Sequence, residues 1–183
     1  LDVSFGLVGR YRGGPAKAAI LASGLTGTVS GSSIANTVTT GAFTIPLMIK
    51  MGFPPHKAGA IEVAASTNGQ LMPPIMGASA FIIAEFIGIS YYDVIVHAAL
   101  PAILSYAALF YISHLEAMKL GLKGMPKDEI PKVLATLARG IHFLIPLVAL
   151  IYLLLVERWS PGAAVFYAIF LLILIIFVQT IAI

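Results

Sequence analysis

Two short runs hold the residue types in this chain that are equipped for chemistry. One is Ser30-Gly31-Ser32-Ser33-Ile34-Ala35-Asn36, and the other is Ser66-Thr67-Asn68-Gly69-Gln70-Leu71-Met72-Pro73-Pro74. Hydroxyls, amide side chains and carbonyls freed from a helix are oxygen ligands, the kind a hard cation such as sodium takes. Helix N-termini at the same places would face an anion. Cysteine is absent, and His56, His97, His114 and His142 show no metal-ligand spacing. No cofactor is expected.

The elements around these runs explain why they matter. Ala16 to Val29 is 14 apolar residues, and Thr37 to Met51 is another 15. As helices these reach roughly 21–23 Å, short of a hydrocarbon core of about 30 Å. Two short helices with a polar tip describe a re-entrant hairpin over 16–51, preceded by a cytoplasmic lead-in over 1–15. After the Gly52-Phe53-Pro54-Pro55 turn, residues 58–88 make 31 residues, too many for one untilted span. Pro73 and Pro74 remove two backbone donors and push the residue before each away from the helical region, while Gly69 adds freedom. A transmembrane helix broken at mid-membrane is expected. Non-helical backbone at that depth survives only when buried in protein or lining a wet cavity, and paired breaks mark the binding sites of secondary transporters.

Three further transmembrane helices are expected. One covers 92–115, with Pro101 inside it and Tyr91 and Tyr92 at an aromatic belt. Two more form a hairpin over 140–183, from the runs 141–156 and 162–183, turning at Glu157-Arg158-Trp159-Ser160-Pro161.

Composition agrees with that reading. Of 183 residues, 59% are hydrophobic and 10% charged, against about 25% charged in a soluble domain. That disfavours a soluble domain, a disordered chain and a nucleic-acid module. The fold class is all-α integral membrane, and the chain reads as a piece of a longer membrane protein. The net charge of +3 follows from topology. With the hairpin mouth in the cytoplasm, Arg10, Arg12, Lys17, Lys50 and Lys57 lie inside. So do Lys119, Lys123, Lys127, Lys132 and Arg139 of the 116–139 loop, where Met125 to Pro131 reads as a structured linker. Only Arg158 of the 11 basic residues then falls outside.

The runs Gly13-Gly14-Pro15-Ala16-Lys17, Ser30 to Asn36, Thr44-Ile45-Pro46-Leu47-Met48, and Ala64 to Gly77 with its Gly-Gln-Leu-Met-Pro-Pro-Ile-Met-Gly form resemble a known family. They are similar to the large membrane subunit of tripartite ATP-independent periplasmic (TRAP) transporters, closest to the permeases that fuse small and large subunits. The resemblance covers about residues 3–132. It implies an elevator-type secondary transporter of the ion-transporter superfamily, in a bacterial or archaeal inner membrane. It implies sodium-driven import of a carboxylated solute, delivered by a periplasmic binding protein of the TAXI class. Its implied sodium and solute ligands are Ser30, Gly31, Ser32, Ser33, Asn36, Thr67, Asn68, Gly69 and Pro73. The family's second, inverted hairpin and break are not contained in these 183 residues.

Plainer readings stand beside these. The serines and glycines of the tip also suit close helix packing, and the 68–74 break also suits a packing kink; the flanking short helices and Asn36 favour a site. Thr37, Thr39, Thr40 and Thr44 read as hydroxyls bonding back to their own helix. Glu62 and Glu85 read as interfacial carboxylates near the two ends of the broken helix, though an intramembrane carboxylate is a functional candidate by default. An intramembrane serine protease needs a base beside Ser30, and no histidine is spaced to supply one. A passive scaffold needs no broken helix.

Overall fold

The computed structural model describes residues 2–126, 130–141 and 144–182. Lys127, Asp128 and Glu129 of the expected linker, and His142, lie outside them. Among the described residues there are nine helices and no strand. They divide into two units, one up to Val133 and one from Leu134.

The first unit opens with α1 (Asp2–Val8) and α2 (Gly14–Ser30). The lead-in is thus not a simple tail. It forms a helix that buries Ser4 and Phe5, and the Gly9 carbonyl accepts from the Met125 amide at 2.9 Å. Pro15 stands in the first turn of α2, where its missing N–H costs nothing. Gly31 ends α2 at φ 58°, donating to the Gly27 carbonyl, and Ser32 starts the next helix by accepting from the Ala35 amide at 3.3 Å. α3 (Ser33–Lys50) follows at once. The expected seven-residue tip is therefore a two-residue turn. A left-handed glycine beside a capping serine needs no longer loop, and Ser33 to Asn36 form the first turn of α3.

α4 (Pro55–Gly69) and α5 (Ala78–Ile87) flank the interruption. Ser66 to Gly69 are still helical, so the irregular stretch is 70–77, where the two prolines sit. α6 (Tyr91–Lys119) spans 29 residues. Among the described residues it is the one helix long and apolar enough to cross a bilayer alone; Ala78–Ile87, Leu144–Leu155 and Gly162–Val178 are shorter apolar segments.

The core of this unit mixes alanines with a few large apolar side chains. Ala16, Ala19, Ile20, Met48, Phe53, Ala58, Ile61, Ala65 and Ala117 form one buried cluster where α2, α3, α4 and α6 meet. Small side chains let membrane helices approach closely without a hydrophobic drive between them. Other large apolar side chains point outward, among them Ile34, Phe43, Phe86, Leu100 and Tyr111.

The second unit holds most of α7 (Val133–Gly140), then α8 (Leu144–Leu155) and α9 (Pro161–Ala182), with α8 packed on α9. α7 lies where the sequence suggested only a loop. α8 has 12 residues, or about 18 Å, less than the span expected over 141–156. The turn between α8 and α9 is the expected one, and Tyr152 donates to Glu157 at 3.0 Å there.

Candidate functional site

The register of the α2–α3 hairpin pairs Ser23 with Thr40 and Gly27 with Asn36. The Ser23 and Thr40 hydroxyls are 3.1 Å apart, and the Asn36 Nδ2 donates to the Ser23 carbonyl at 2.8 Å. α4 lies across both helices. Its crossing with α2 occurs at Gly27 and Gly69, where a Cβ on Gly27 would fall 2.5 Å from the Gly69 Cα and one on Gly69 would fall 2.7 Å from the Gly27 Cα. No other residue fits at either position. That contact carries the end of α4 to the hairpin just below its turn.

The same glycine logic joins the turn to the break. A Cβ on Gly31 would meet the Met76 carbonyl oxygen at 2.7 Å, and one on Gly77 would meet the Gly31 carbonyl oxygen at 3.0 Å. The Gly77 amide donates to the Gln70 carbonyl at 2.9 Å, closing the irregular stretch on itself. From α6, the Tyr91 hydroxyl donates to the Ile75 carbonyl and reaches the Pro74 carbonyl at 3.3 Å, with its ring stacked on Phe81 at 4.4 Å. Tyr106 donates to the Ala65 carbonyl at 2.9 Å.

Asn36 is the central residue of this junction. It is fully buried, and its Oδ1 has no hydrogen-bond partner. Its Nδ2 lies 3.3 Å from where a Gly27 Cβ would stand, which places the amide at the Gly27–Gly69 crossing. A buried carbonyl oxygen without a donor carries a desolvation cost of about 1–3 kcal/mol, which a cation would relieve. Near it, α2 ends with no helical amide for the Thr28, Val29 and Ser30 carbonyls.

The other residues expected at the site divide into two groups. Ser33 and Thr67 face one open groove of about 250 Å³, lined also by Ile34, Thr37, Val38 and Val63. Thr67 also donates back to the Val63 carbonyl at 2.8 Å. Asn68 is half-buried one residue before the crossing, and Ser32 caps α3. Gly31 and Gly69 make the two close approaches. Ser30 is exposed, and Pro73 belongs to the irregular stretch.

Glu62 overturns its expected place. It is not at an interface; it is fully buried among α2, α3 and α4. Its Oε1 accepts from Ser23 at 2.6 Å, from Ser66 at 3.2 Å and from Thr40, and its Oε2 accepts from Thr44 at 2.5 Å. Gly41 makes the room, since a Cβ there would stand 3.1 Å from the Glu62 Cγ. Thr40 and Thr44 do bond back, to the Asn36 and Thr40 carbonyls, but they also serve Glu62. Glu85, by contrast, is exposed. Lys17 is no solvated loop charge either. It is 5% exposed, with Nζ 3.0 Å from the His114 Nδ1 and close over the rings of Tyr11 and Phe110.

The junction is an oxygen-lined crossing of a helical hairpin with a broken helix. The family model described as "Tripartite ATP-independent periplasmic transporter, DctM component" matches residues 1–182. The chain belongs to that family. A C4-dicarboxylate TRAP transporter large permease protein DctM of Pseudomonas aeruginosa is 27% identical over 82% of this chain and 35% of its own length. A 2,3-diketo-L-gulonate TRAP transporter large permease protein YiaN of Escherichia coli is 24% identical over 93% and 40%. The protein y4mL of Sinorhizobium fredii is 30% identical over 75% and 32%. The chain therefore spans about a third of the length of the curated relatives it matches. The relatives from Pseudomonas aeruginosa and Escherichia coli carry the names of permeases, not enzymes. His97 bonds to the Asp93 carbonyl of its own helix and His114 to Lys17.

Proposed function

We propose that this chain is the part of a permease that holds a coupling sodium ion and half of the solute site of a secondary importer. The solute is a small carboxylate, passed on by a periplasmic binding protein at the cytoplasmic membrane. The observation that carries this is the buried, donorless Oδ1 of Asn36, whose amide packs against the Gly27–Gly69 crossing. Around it Ser30, Gly31, Ser32, Ser33, Thr67, Asn68, Gly69 and Pro73 form the rim. The relatives named for C4-dicarboxylate and diketogulonate transport supply the solute class. The first amides of α3, at Ser33 and Ile34, begin a helix dipole suited to a carboxylate. Multi-pass insertion, an elevator movement of this unit and a TAXI-type receptor complete the reading.

The test is uptake of a C4-dicarboxylate into proteoliposomes holding the full-length permease with its binding protein. An inward sodium gradient should drive accumulation, and Asn36→Ala should remove the sodium dependence. Equal uptake under sodium and potassium gradients, or an unaltered sodium response in Asn36→Ala, overturns the proposal.

A further inference from the structure

Among the described residues, Glu62 is the carboxyl that is fully buried. It receives four hydroxyls, from Ser23, Thr40, Thr44 and Ser66. An ionised carboxylate accepts only, and four donors match its capacity. Hydroxyls satisfy its hydrogen bonds and leave its charge unanswered. No basic side chain among the described residues is seen to pair with it: Lys17 of α2 is with His114, Lys57 of α4 is with Glu116, and Lys50 at the end of α3 is exposed. An isolated charge taken out of water is heavily penalised unless something opposite in sign answers it.

The hydroxyls lead in one direction. Thr40 Oγ1 touches Glu62 and also lies 2.7 Å from the Asn36 carbonyl oxygen, so one proton serves two acceptors. Ser23 donates to Glu62 at 2.6 Å, while its own carbonyl holds the Asn36 Nδ2 at 2.8 Å. Both branches end on Asn36. One fixes its backbone and the other fixes its amide through Nδ2, and the buried Oδ1 is left with no donor. A buried carboxyl and a buried carbonyl without a donor are joined by two bridges, each a single residue long.

We propose that Glu62 is the positioning residue and counter-charge of the cation site at Asn36. It takes no place in the coordination sphere. Through Ser23 and Thr40 it holds the Asn36 carbonyl toward the cation, and its charge lowers the cost of bringing sodium into the packed helices. This deepens the function proposed above and rests on it.

Radioactive sodium binding to the purified full-length permease tests it without knowledge of the solute. The parent should bind sodium, and Asn36→Ala should abolish that binding. Glu62→Gln keeps the shape and removes the charge. It should raise the sodium Kd about tenfold, a fraction of the attraction between two nearby buried charges, with the bound sodium per protein at saturation unchanged. Glu62→Asp should return the Kd to within about threefold of the parent. Should Glu62→Gln fail to fold, Thr40→Val removes one bridge and keeps the branched shape; it should raise the Kd about threefold. A parental Kd in Glu62→Gln, or in Thr40→Val where Glu62→Gln is not obtained, overturns the counter-charge role and leaves the cation site standing. Fewer binding sites at an unchanged Kd marks Glu62 as structural only, and overturns it as well. A parent that binds no sodium overturns both readings together.

Discussion

Gly27 of α2 and Gly69 of α4 meet backbone to backbone, 42 positions apart, where the two helices cross, with no space for a Cβ on either. A side chain at this crossing would push the end of α4 off the hairpin and carry the irregular stretch with it. Gly27→Ala is expected to destabilise by about 1–3 kcal/mol, the usual cost of overpacking. Gly59, inside α4 with nothing within 4 Å of its Cβ position, should behave oppositely. Gly59→Ala should stabilise by about 0.5–1 kcal/mol, because it removes an interior glycine from a helix. Thermal unfolding of the purified full-length protein separates the two: a lower midpoint for the first and an equal or higher one for the second.

Tyr91 ties the irregular stretch to α6 through its hydroxyl and its ring. Tyr91→Phe keeps the stacking on Phe81 and removes the donor. The expected loss is about 0.5–1.5 kcal/mol, confined to residues 70–77. Amide hydrogen exchange should quicken there several-fold and stay unchanged in α2. Uniform exchange across both segments would contradict this.

The distribution of basic residues predicts sidedness. Lys123 and Ser160 are both exposed. A membrane-impermeant maleimide added from outside intact cells should label Ser160→Cys and leave Lys123→Cys unmodified until the membrane is opened. The reverse pattern would invert the orientation.

The Lys57–Glu116 pair joins α4 to α6 near their cytoplasmic ends on that topology, with both side chains part-exposed. Exposed pairs contribute little. Glu116→Gln should therefore lower stability by less than about 1 kcal/mol, and the effect should vanish in high salt. A drop of several degrees in the unfolding midpoint that persists in high salt would show that the pair does more than this.

The breaks were legible because their residues have few alternatives. Gly31 next to Ser32 can stop one helix and cap the next, and Pro73-Pro74 cannot continue one. How tightly they turn was not legible, since a polar run looks like a loop whether or not its last four residues fold into a helix. Glu62 was misread for a different reason. Its depth was judged by distance along the chain from the start of α4, whereas its burial is set sideways, by α2 and α3. A signal was present: Glu62 and Ser66 stand one turn apart, as do Thr40 and Thr44. Two polar stripes on otherwise apolar helices need each other. α7 was missed because its residues follow a charged, proline-containing stretch that reads as loop.

The alanine-rich core has a mechanical consequence. Alanine has no rotamers to lose or exchange, so at Ala16, Ala19, Ala58 and Ala65, where α2 and α4 press together, no side chain can re-pack to absorb a displacement. Such an interface has one fit, and the helices behave as a stiff plate. Any strain delivered at Asn36 is then shed at the compliant joints bordering the plate, the Gly31–Ser32 turn and residues 70–77, and both joints touch at Gly31 and Gly77. A push on one is felt by the other without passing through a helix at all.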